Sequence, residues 1–510
     1  MPHEPTDPIA SLTPRSYWLA STSFATFPSL DHDLDVDVVV VGAGITGVTA
    51  AWLLCNEGLR VALLEADEVA RGTTGHTTAK ITAQHGLIYR ELIEHTGLDN
   101  ARLYYQAAAD ASRLVAETIG QRAIDCDFSV QDAFVYATSD GGARQVEQEY
   151  EAYGRLGIDG ALLAGVPFPA LRARSAVCMR HQAQFHPLRY LSTLVGDIVE
   201  RGGMVFERTV AVAVTDGDRP TVHTREGRRV SGDFVLACTH FPFHDAAGLY
   251  FARMQAERSY VIAVDVEEYP GGMYLSAEQP TRSIRSAPAG DRVMALVGGE
   301  GHKAGEGEDT GLHYEALTRF AAQVLKAGQT AYRWSAQDLT TLDKMAYIGE
   351  LTRDRRNILV ATGYRKWGMT TGTTAARLLC DIVVERENPY RELFAPSRFY
   401  ADPTVKHFLM QNTAVALHLI RGKLERPAGD IGDLANGEGA VVTFAGQRAG
   451  AWRGEDGRIQ VVDSTCTHLG CEVVWNHGDR TWDCPCHGSR FSVDGDVLEG
   501  PAKRALRRLL

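Results

Sequence analysis

Residues 38–65 open with Val38-Val39-Val40-Val41-Gly42-Ala43-Gly44-Ile45-Thr46-Gly47, continue through VTAAWLLCNEGLR, and close on Val61-Ala62-Leu63-Leu64-Glu65. The unbroken β-branched run predicts a buried strand, and ITGVTAAWLLCNE predicts a helix that Gly58 stops before a second strand, RVALL. Gly42 allows the tight turn between strand and helix. Gly44 lets backbone approach a pyrophosphate beside Thr46, Gly47 lets the helix pack close to the strand, and the helix N-terminus stabilises phosphate charge. Glu65 follows the glycines at the distance from which a carboxylate hydrogen-bonds the ribose hydroxyls of an adenosine. Strand, glycines, helix, strand and acid in register predict a dinucleotide-binding α/β unit. They do not separate NAD from FAD.

Outward from this unit, the chain of 510 residues with 45% apolar composition is long enough for roughly three or four packing units. Residues 1–34 form a polar, proline-containing arm expected to drape over the first domain. From 35 to 388, strand-like runs such as DFVLAC and NILVATG alternate with helical stretches, the pattern of a parallel sheet with covering helices. Residues 389–428 read as a linker, loop-like through Pro403 and then helical, with Val405, Phe408, Leu409, Val415 and Leu419 on one face. From 429 to 510 the texture changes to short alternating strands broken by Gly, Asp and Asn, which predicts a small all-β domain. The net charge of -12 argues against nucleic acid or an anionic membrane as partner and favours a small molecule. No stretch has the apolar length of a membrane span, and the first residues lack the features of a signal peptide, so the expected compartment is the cytoplasm.

Two further stretches bear on the nucleotide. After Glu65 comes Ala70-Arg71-Gly72-Thr73-Thr74-Gly75-His76-Thr77-Thr78-Ala79-Lys80, and near the domain's end stands Asn357-Ile358-Leu359-Val360-Ala361-Thr362-Gly363-Tyr364-Arg365-Lys366-Trp367-Gly368-Met369-Thr370. Both resemble the D-amino-acid-oxidase-like (DAO) family of FAD enzymes, over roughly residues 35 to 385. The resemblance implies FAD, with an α+β substrate domain interleaved in the Rossmann-like domain. It places Gly72, Thr73 and Thr74 along the pyrophosphate and flavin, Val210 beside the adenine and Thr239 near the cofactor. It places Gly363, Gly368, Met369 and Thr370 at the ribityl chain and isoalloxazine ring.

In the C-terminal domain, Cys466-Thr467-His468-Leu469-Gly470-Cys471 is followed by Cys484-Pro485-Cys486-His487-Gly488-Ser489. Cys-x-His with a later Cys-x-x-His supplies two thiolates and two imidazoles, the donor set of a Rieske 2Fe-2S cluster and also of a structural zinc site. The two loops resemble the respiratory bc-complex type of Rieske protein. That resemblance implies Cys466, His468, Cys484 and His487 as cluster ligands and a disulfide between Cys471 and Cys486, and the added cysteines favour it over zinc. The sequence departs from it at Phe491, where the respiratory proteins carry a tyrosine that donates to a cysteine sulfur, and it ends at Leu510 where they run on into a last strand. The basic ending KRALRRLL reads as a docking patch for the acidic flavin domain or an acidic carrier, or as a solvated face.

His240, His244 and Asp245 have the residue types of a non-haem iron site, but they follow a central strand in the flavin-domain turn, where iron would compete with the cofactor. His85, His181 and His186 read as core or surface residues. Arg258, Tyr260, Tyr332, Arg333 and Trp334 fall in the expected substrate region and are candidates to bind a carboxylate or an amine. The combined expectation is a two-cofactor oxidoreductase that oxidises a carbon–nitrogen bond of a small amine or amino acid and passes electrons through the cluster to an external carrier. Its alternatives are a reductase fed through the cluster and a non-catalytic redox sensor.

Overall fold

The computed structural model describes residues 14–245, 248–307, 309–424 and 429–510. The first part of the N-terminal arm, 1–13, and residues 425–428 of the linker therefore lie outside the described residues. Strand Val38–Val41 is buried at every position because both faces of its sheet are covered. It is central in a six-stranded sheet ordered Tyr347–Thr352, Arg355–Thr362, Phe234–Ala237, Val38–Val41, Val61–Leu64 and Met204–Phe206. All pairings are parallel except the edge pair of Tyr347–Thr352 with Arg355–Thr362. Helices Ile45–Asn56 and Gly368–Val383 pack together against this sheet. Gly42 has φ +98°, and a Cβ there would lie 2.6 Å from the Cys238 carbonyl oxygen, so only glycine makes this turn.

The chain leaves this sheet repeatedly to build a second, nine-stranded mixed sheet. Its order is Thr330–Thr341, Met254–Val266, Arg292–Lys303, Arg282–Ala289, Met273–Ser276, Ser129–Ala137, Ser175–Gln184 and Lys80–Ile81, with Gly160–Leu163 paired alongside Ser175–Gln184. This interleaving brings segments distant in sequence to one cavity between the two layers.

Within the stretch read as loop before Pro403, the structure has a one-turn helix, Arg391–Phe394, formed as Leu393 and Phe394 bury against the core. It is too short to leave a periodic signal. The longer helix starts at Ala401 and runs to Leu424, because a proline in the first turn forfeits no intrahelical hydrogen bond.

Both sheets of the C-terminal domain are antiparallel. A three-stranded sheet (Gly439–Phe444, Gln447–Arg453, Ile459–Asp463) faces a four-stranded one (Val474–Asn476, Thr481–Asp483, Arg490–Phe491, Val497–Glu499). Val462, Val473, Trp482, Phe491 and Leu506 form its core.

Candidate functional site

A cavity of about 1400 Å³ opens between the two large sheets, and Gly42, Gly44, Thr46, Glu65, Gly72, Thr73, Thr74, Val210, Thr239, Gly368 and Met369 all line it. Gly44 stands at the start of helix Ile45–Asn56, where a Cβ would enter the cradle 3.0 Å from Thr74 Oγ1. Thr74 Oγ1 in turn accepts from Ile45 N at 3.0 Å. Glu65 accepts from Ala43 N at 2.8 Å and Asp67 N at 3.1 Å, and burial raises its carboxyl above the usual range against the pull of these N–H groups. A backbone cradle that any side chain would fill, at a helix N-terminus with a carboxylate beside it, fits a dinucleotide.

Gly47, read as the glycine that lets the helix pack close to the strand, and Gly363 and Thr370, which the resemblance brought to the flavin, lie outside the cavity lining. Gly47 is pressed on Gly42, with a Cβ position 1.8 Å from its carbonyl oxygen. Gly363 turns at φ +82° against Thr341, and the Thr370 hydroxyl is hydrogen-bonded to His85 Nε2 at 3.0 Å. Tyr364, unmarked in the sequence, lines the cavity instead and hydrogen-bonds Thr46 Oγ1 at 2.8 Å.

The two cysteine loops converge in the C-terminal domain. Cys466 and Cys484 are buried free thiols, whereas Cys471 and Cys486 form a disulfide. The sulfurs of Cys471, Cys484 and Cys486 lie within 4.8 Å of one another, but two of the three are bonded together, which leaves Cys484 alone of this group as a ligand. The His468 and His487 rings stand perpendicular with centroids 5.0 Å apart, and Nδ1 of each is buried with no hydrogen-bond partner. Buried orphaned polar atoms are rare in native proteins. Two free thiols with two orphaned imidazole nitrogens fit the donor set of a Rieske cluster. Burial lowers His468 to about 4 and His487 to about 3, so both rings are neutral at pH 7, as metal ligands must be. Cys466 is held below the usual thiol range, first by its hydrogen bond with Cys484 and, against burial, by backbone N–H groups and the Ser489 hydroxyl. Phe491 is fully buried in the domain core.

The domains meet at these histidines. Phe251, in the short 3-10 turn Tyr250–Ala252, sets its ring edge-on to both, 5.7 Å from His468 and 5.4 Å from His487. Asp245 fixes that turn by accepting from Tyr250 N at 2.5 Å and Phe251 N at 3.3 Å. His244 Nε2 pairs with Arg355 at 3.1 Å. His240 lines the cavity with its buried Nε2 unpartnered. Residues Val497 to Lys503 of the C-terminal domain form part of the cavity wall. Lys503 Nζ donates to Val212 O at 3.1 Å, and Arg225 Nη2 donates to Lys503 O at 3.0 Å. Arg507 and Arg508 pair within their own domain with Asp463 and Asp496, so the basic ending is divided between the two surfaces.

Of the five candidates for substrate binding, Tyr260 alone lines the cavity. Arg258 is fully buried between the domains and held by Glu499, Asp483 and Asp479, so it binds protein carboxylates where a substrate carboxylate was expected. Trp334 Nε1 donates to His76 O at 2.8 Å, Arg333 stacks over Tyr314, and Tyr332 packs on Tyr17. His85 is stacked on Trp367 in the core, His186 caps a helix, and His181 is exposed.

The family described as FAD dependent oxidoreductase (DAO) matches residues 37–382, and the Rieske [2Fe-2S] domain family matches 426–509. The Rieske 2Fe-2S iron-sulfur protein YhfW of Bacillus subtilis (strain 168) is 46% identical over 502 residues, covering 98% of each chain. Gamma-glutamylputrescine oxidoreductase of Escherichia coli (strain K12) is 24% identical over 72% of this chain and 88% of its own. Glycine oxidase from Geobacillus kaustophilus superposes with a TM-score of 0.61 at 18% identity, over 72% of this chain and 100% of that one, a likeness of fold. Among the described residues no helix is long and apolar enough to cross a membrane. The chain therefore belongs to the DAO family of FAD-dependent oxidoreductases and carries a Rieske 2Fe-2S domain at its C-terminal end.

Proposed function

We propose that the protein oxidises the carbon–nitrogen bond of a small amine or amino acid in the cavity and passes the electrons through the Rieske cluster to an external carrier. One observation carries this reading. The histidine face of the C-terminal domain is packed on Phe251 of the flavin domain, while Val497–Lys503 of the same domain wall the cavity. Bound FAD supplies two-electron hydride acceptance, and the cluster supplies single-electron relay. The chain's own residues do the positioning. In this reading Gly44, Thr74 and Glu65 hold the dinucleotide end. Cys466, Cys484, His468 and His487 ligate iron, and the Cys471–Cys486 disulfide staples the two ligand loops. The gamma-glutamylputrescine oxidoreductase and glycine oxidase names support an amine or amino acid as the substrate class.

The test is anaerobic mixing of holoprotein with a panel of amines and amino acids, recording flavin bleaching and the reduced-cluster EPR signal together. The expected result is bleaching followed by the cluster signal. Bleaching without a cluster signal removes the internal relay. Cluster reduction by an external donor with no response to any panel member favours the reductase reading, and a chain that reduces and reoxidises without turnover is a sensor. Absorbance, iron and sulfide assays are expected to give about one FAD and about two irons with two acid-labile sulfides per chain. Stoichiometric zinc without sulfide rules the cluster ligands out.

A further inference from the structure

The N-terminal arm is bonded to two separate walls of the cavity. Its short helix Tyr17–Ser21 starts after Ser16, whose buried Oγ donates to Gly75 O at 2.5 Å, and Trp18 Nε1 donates to Thr77 O at 2.7 Å. Leu19 packs on Gly75, where a Cβ would lie 3.3 Å from Leu19 Cδ2. The carbonyls next to these are held from the core: His76 O accepts from Trp334 Nε1 at 2.8 Å, and Thr78 O and Ala79 O accept from Arg285 Nη1 at 3.1 and 2.7 Å. The Arg285 guanidinium in turn lies over the Trp18 ring, 5.2 Å from its centroid. Every carbonyl from Gly75 to Ala79 is thus fixed by a side chain. Ala79 is kept at φ +56°, a left-handed conformation that persists only where its surroundings enforce it.

Farther along, the same arm reaches the wall formed by Thr209 and Val210. Leu30 N donates to Thr209 Oγ1 at 3.0 Å. Phe27 N donates to Glu207 Oε2 at 3.0 Å, and the other oxygen of this buried carboxylate accepts from Val69 N at 2.9 Å. Glu207 N donates back to Pro28 O at 3.0 Å, and Thr209 N donates to Glu65 O at 2.8 Å. His76, Thr77, Thr78 and Thr209 line the cavity, but among the described residues none before Val41 does. The arm therefore touches the outside of the walls and leaves the enclosed space free. It also precedes residues 37–382, the part that matches the flavin family.

We infer that residues 16–30 are an outer brace of the FAD site, which fixes the backbone of Gly75–Thr77 and of Glu207–Thr209 from behind. A loop already held in its bound shape loses less freedom when its ligand arrives, so the brace tightens FAD binding. By linkage, bound FAD steadies the brace by the same factor. The inference concerns the cofactor and does not depend on the substrate.

The first measurement is the rate at which full-length holoprotein releases FAD on dilution, read as the rise of free-flavin fluorescence. Ser16→Ala combined with Trp18→Phe removes both donors and keeps an aromatic ring at position 18. This variant is expected to release FAD about tenfold faster, with the cluster EPR signal unchanged, as the loss of two neutral hydrogen bonds implies. Tyr17→Phe removes a hydroxyl of the same helix that donates to Pro288 O, away from these walls, and is expected to release FAD at the native rate. Release from the double variant within about twofold of native overturns the inference, and so does equal acceleration by Tyr17→Phe, which assigns the effect to general loosening of the arm. The second measurement needs no variant. Tryptic cleavage after Arg15, which requires the following helix to detach, is expected to be about tenfold faster once FAD is stripped from the native protein. Equal cleavage with and without FAD overturns the inference even if the double variant fails to fold.

Discussion

Arg258 of the flavin domain and Glu499 of the Rieske domain, 241 residues apart in sequence, are joined by a buried ion pair with Nη2 to Oε2 at 3.1 Å. Arg258 also lies 3.5 Å from Asp483 and donates to Ser335 and Gln337, both at 3.0 Å. Burial opposes the charge of Arg258, and Asp483, Glu499 and Asp479 outweigh it, so the guanidinium stays charged. Arg490 closes the network by pairing with Asp479 at 2.6 Å. The Rieske domain is thus seated on the flavin domain by desolvated charges.

Arg258→Met is expected to cost about 3–5 kcal/mol, because it leaves buried carboxylates short of a counter-charge. Burial pushes Asp479 and Glu499 up, but Arg490 and Arg258 hold both below the usual carboxylate range. The stability they contribute is complete above the unfolded value of about 4 and is lost as pH falls through the lower folded values. Docking in the native protein should therefore loosen only in acid. In the variant the folded values rise and loosening begins at higher pH. Limited proteolysis across a pH series, scored by release of the C-terminal domain, measures this. A proteolysis profile identical to that of the native protein refutes the seating role.

Gly305 tests the seat from a place that holds no charge. It sits at φ +73°, and a Cβ there would lie 2.5 Å from Pro485 Cα, in the loop between Cys484 and Cys486. Gly305→Ala must push that backbone away, at about 1–3 kcal/mol. FAD and iron contents should be unchanged while the delay between flavin bleaching and cluster reduction lengthens in stopped flow. An unaltered delay means that close docking does not govern the transfer.

Gly44→Val tests the dinucleotide cradle. The valine side chain enters the space beside Thr74, so FAD should be lost. The iron donors all belong to the other domain and should keep their metal. Joint loss of FAD and iron indicates that the two domains fold as one unit.

The parts of the site legible in sequence are those whose geometry is local. Gly42, Gly44 and Gly47 announce a turn because three glycines in six residues follow a strand, and Cys466, His468, Cys484 and His487 announce a metal site because their spacing sets four donors on two short loops, iron being what the Rieske resemblance adds. Phe251 and Arg258 carry no such mark. Phe251 matters for a turn fixed by Asp245, and Arg258 for acids brought to it from beyond residue 478. Each depends on contacts made only after the two sheets and the last domain have packed. Gly363 and Thr370 belong to a motif that reads as a turn into a helix, and tertiary packing sets Gly363 against Thr341 and the Thr370 hydroxyl on His85.

The reduction potential of the cluster rests on Ser489 and Phe491. Ser489 Oγ accepts from Ala502 N at 3.0 Å, which orients the hydroxyl, and the hydroxyl hydrogen-bonds Cys466. A donor to a ligand sulfur stabilises the extra negative charge of the reduced state and raises the potential. Phe491, buried in the core, offers no donor. A hydrogen bond to a charged group is worth about 1.5–3 kcal/mol, and about 59 mV corresponds to a tenfold change in a one-electron equilibrium. With about 1.4 kcal/mol per tenfold, Ser489→Ala should lower the potential by up to about 60–130 mV, and Phe491→Tyr should raise it by a similar amount where the new hydroxyl meets the sulfur. Protein-film voltammetry on the full-length holoprotein measures both shifts, and a crystal structure of Phe491→Tyr locates the hydroxyl. An unchanged potential with that hydroxyl at hydrogen-bond distance from the sulfur would show that sulfur donors do not tune this cluster.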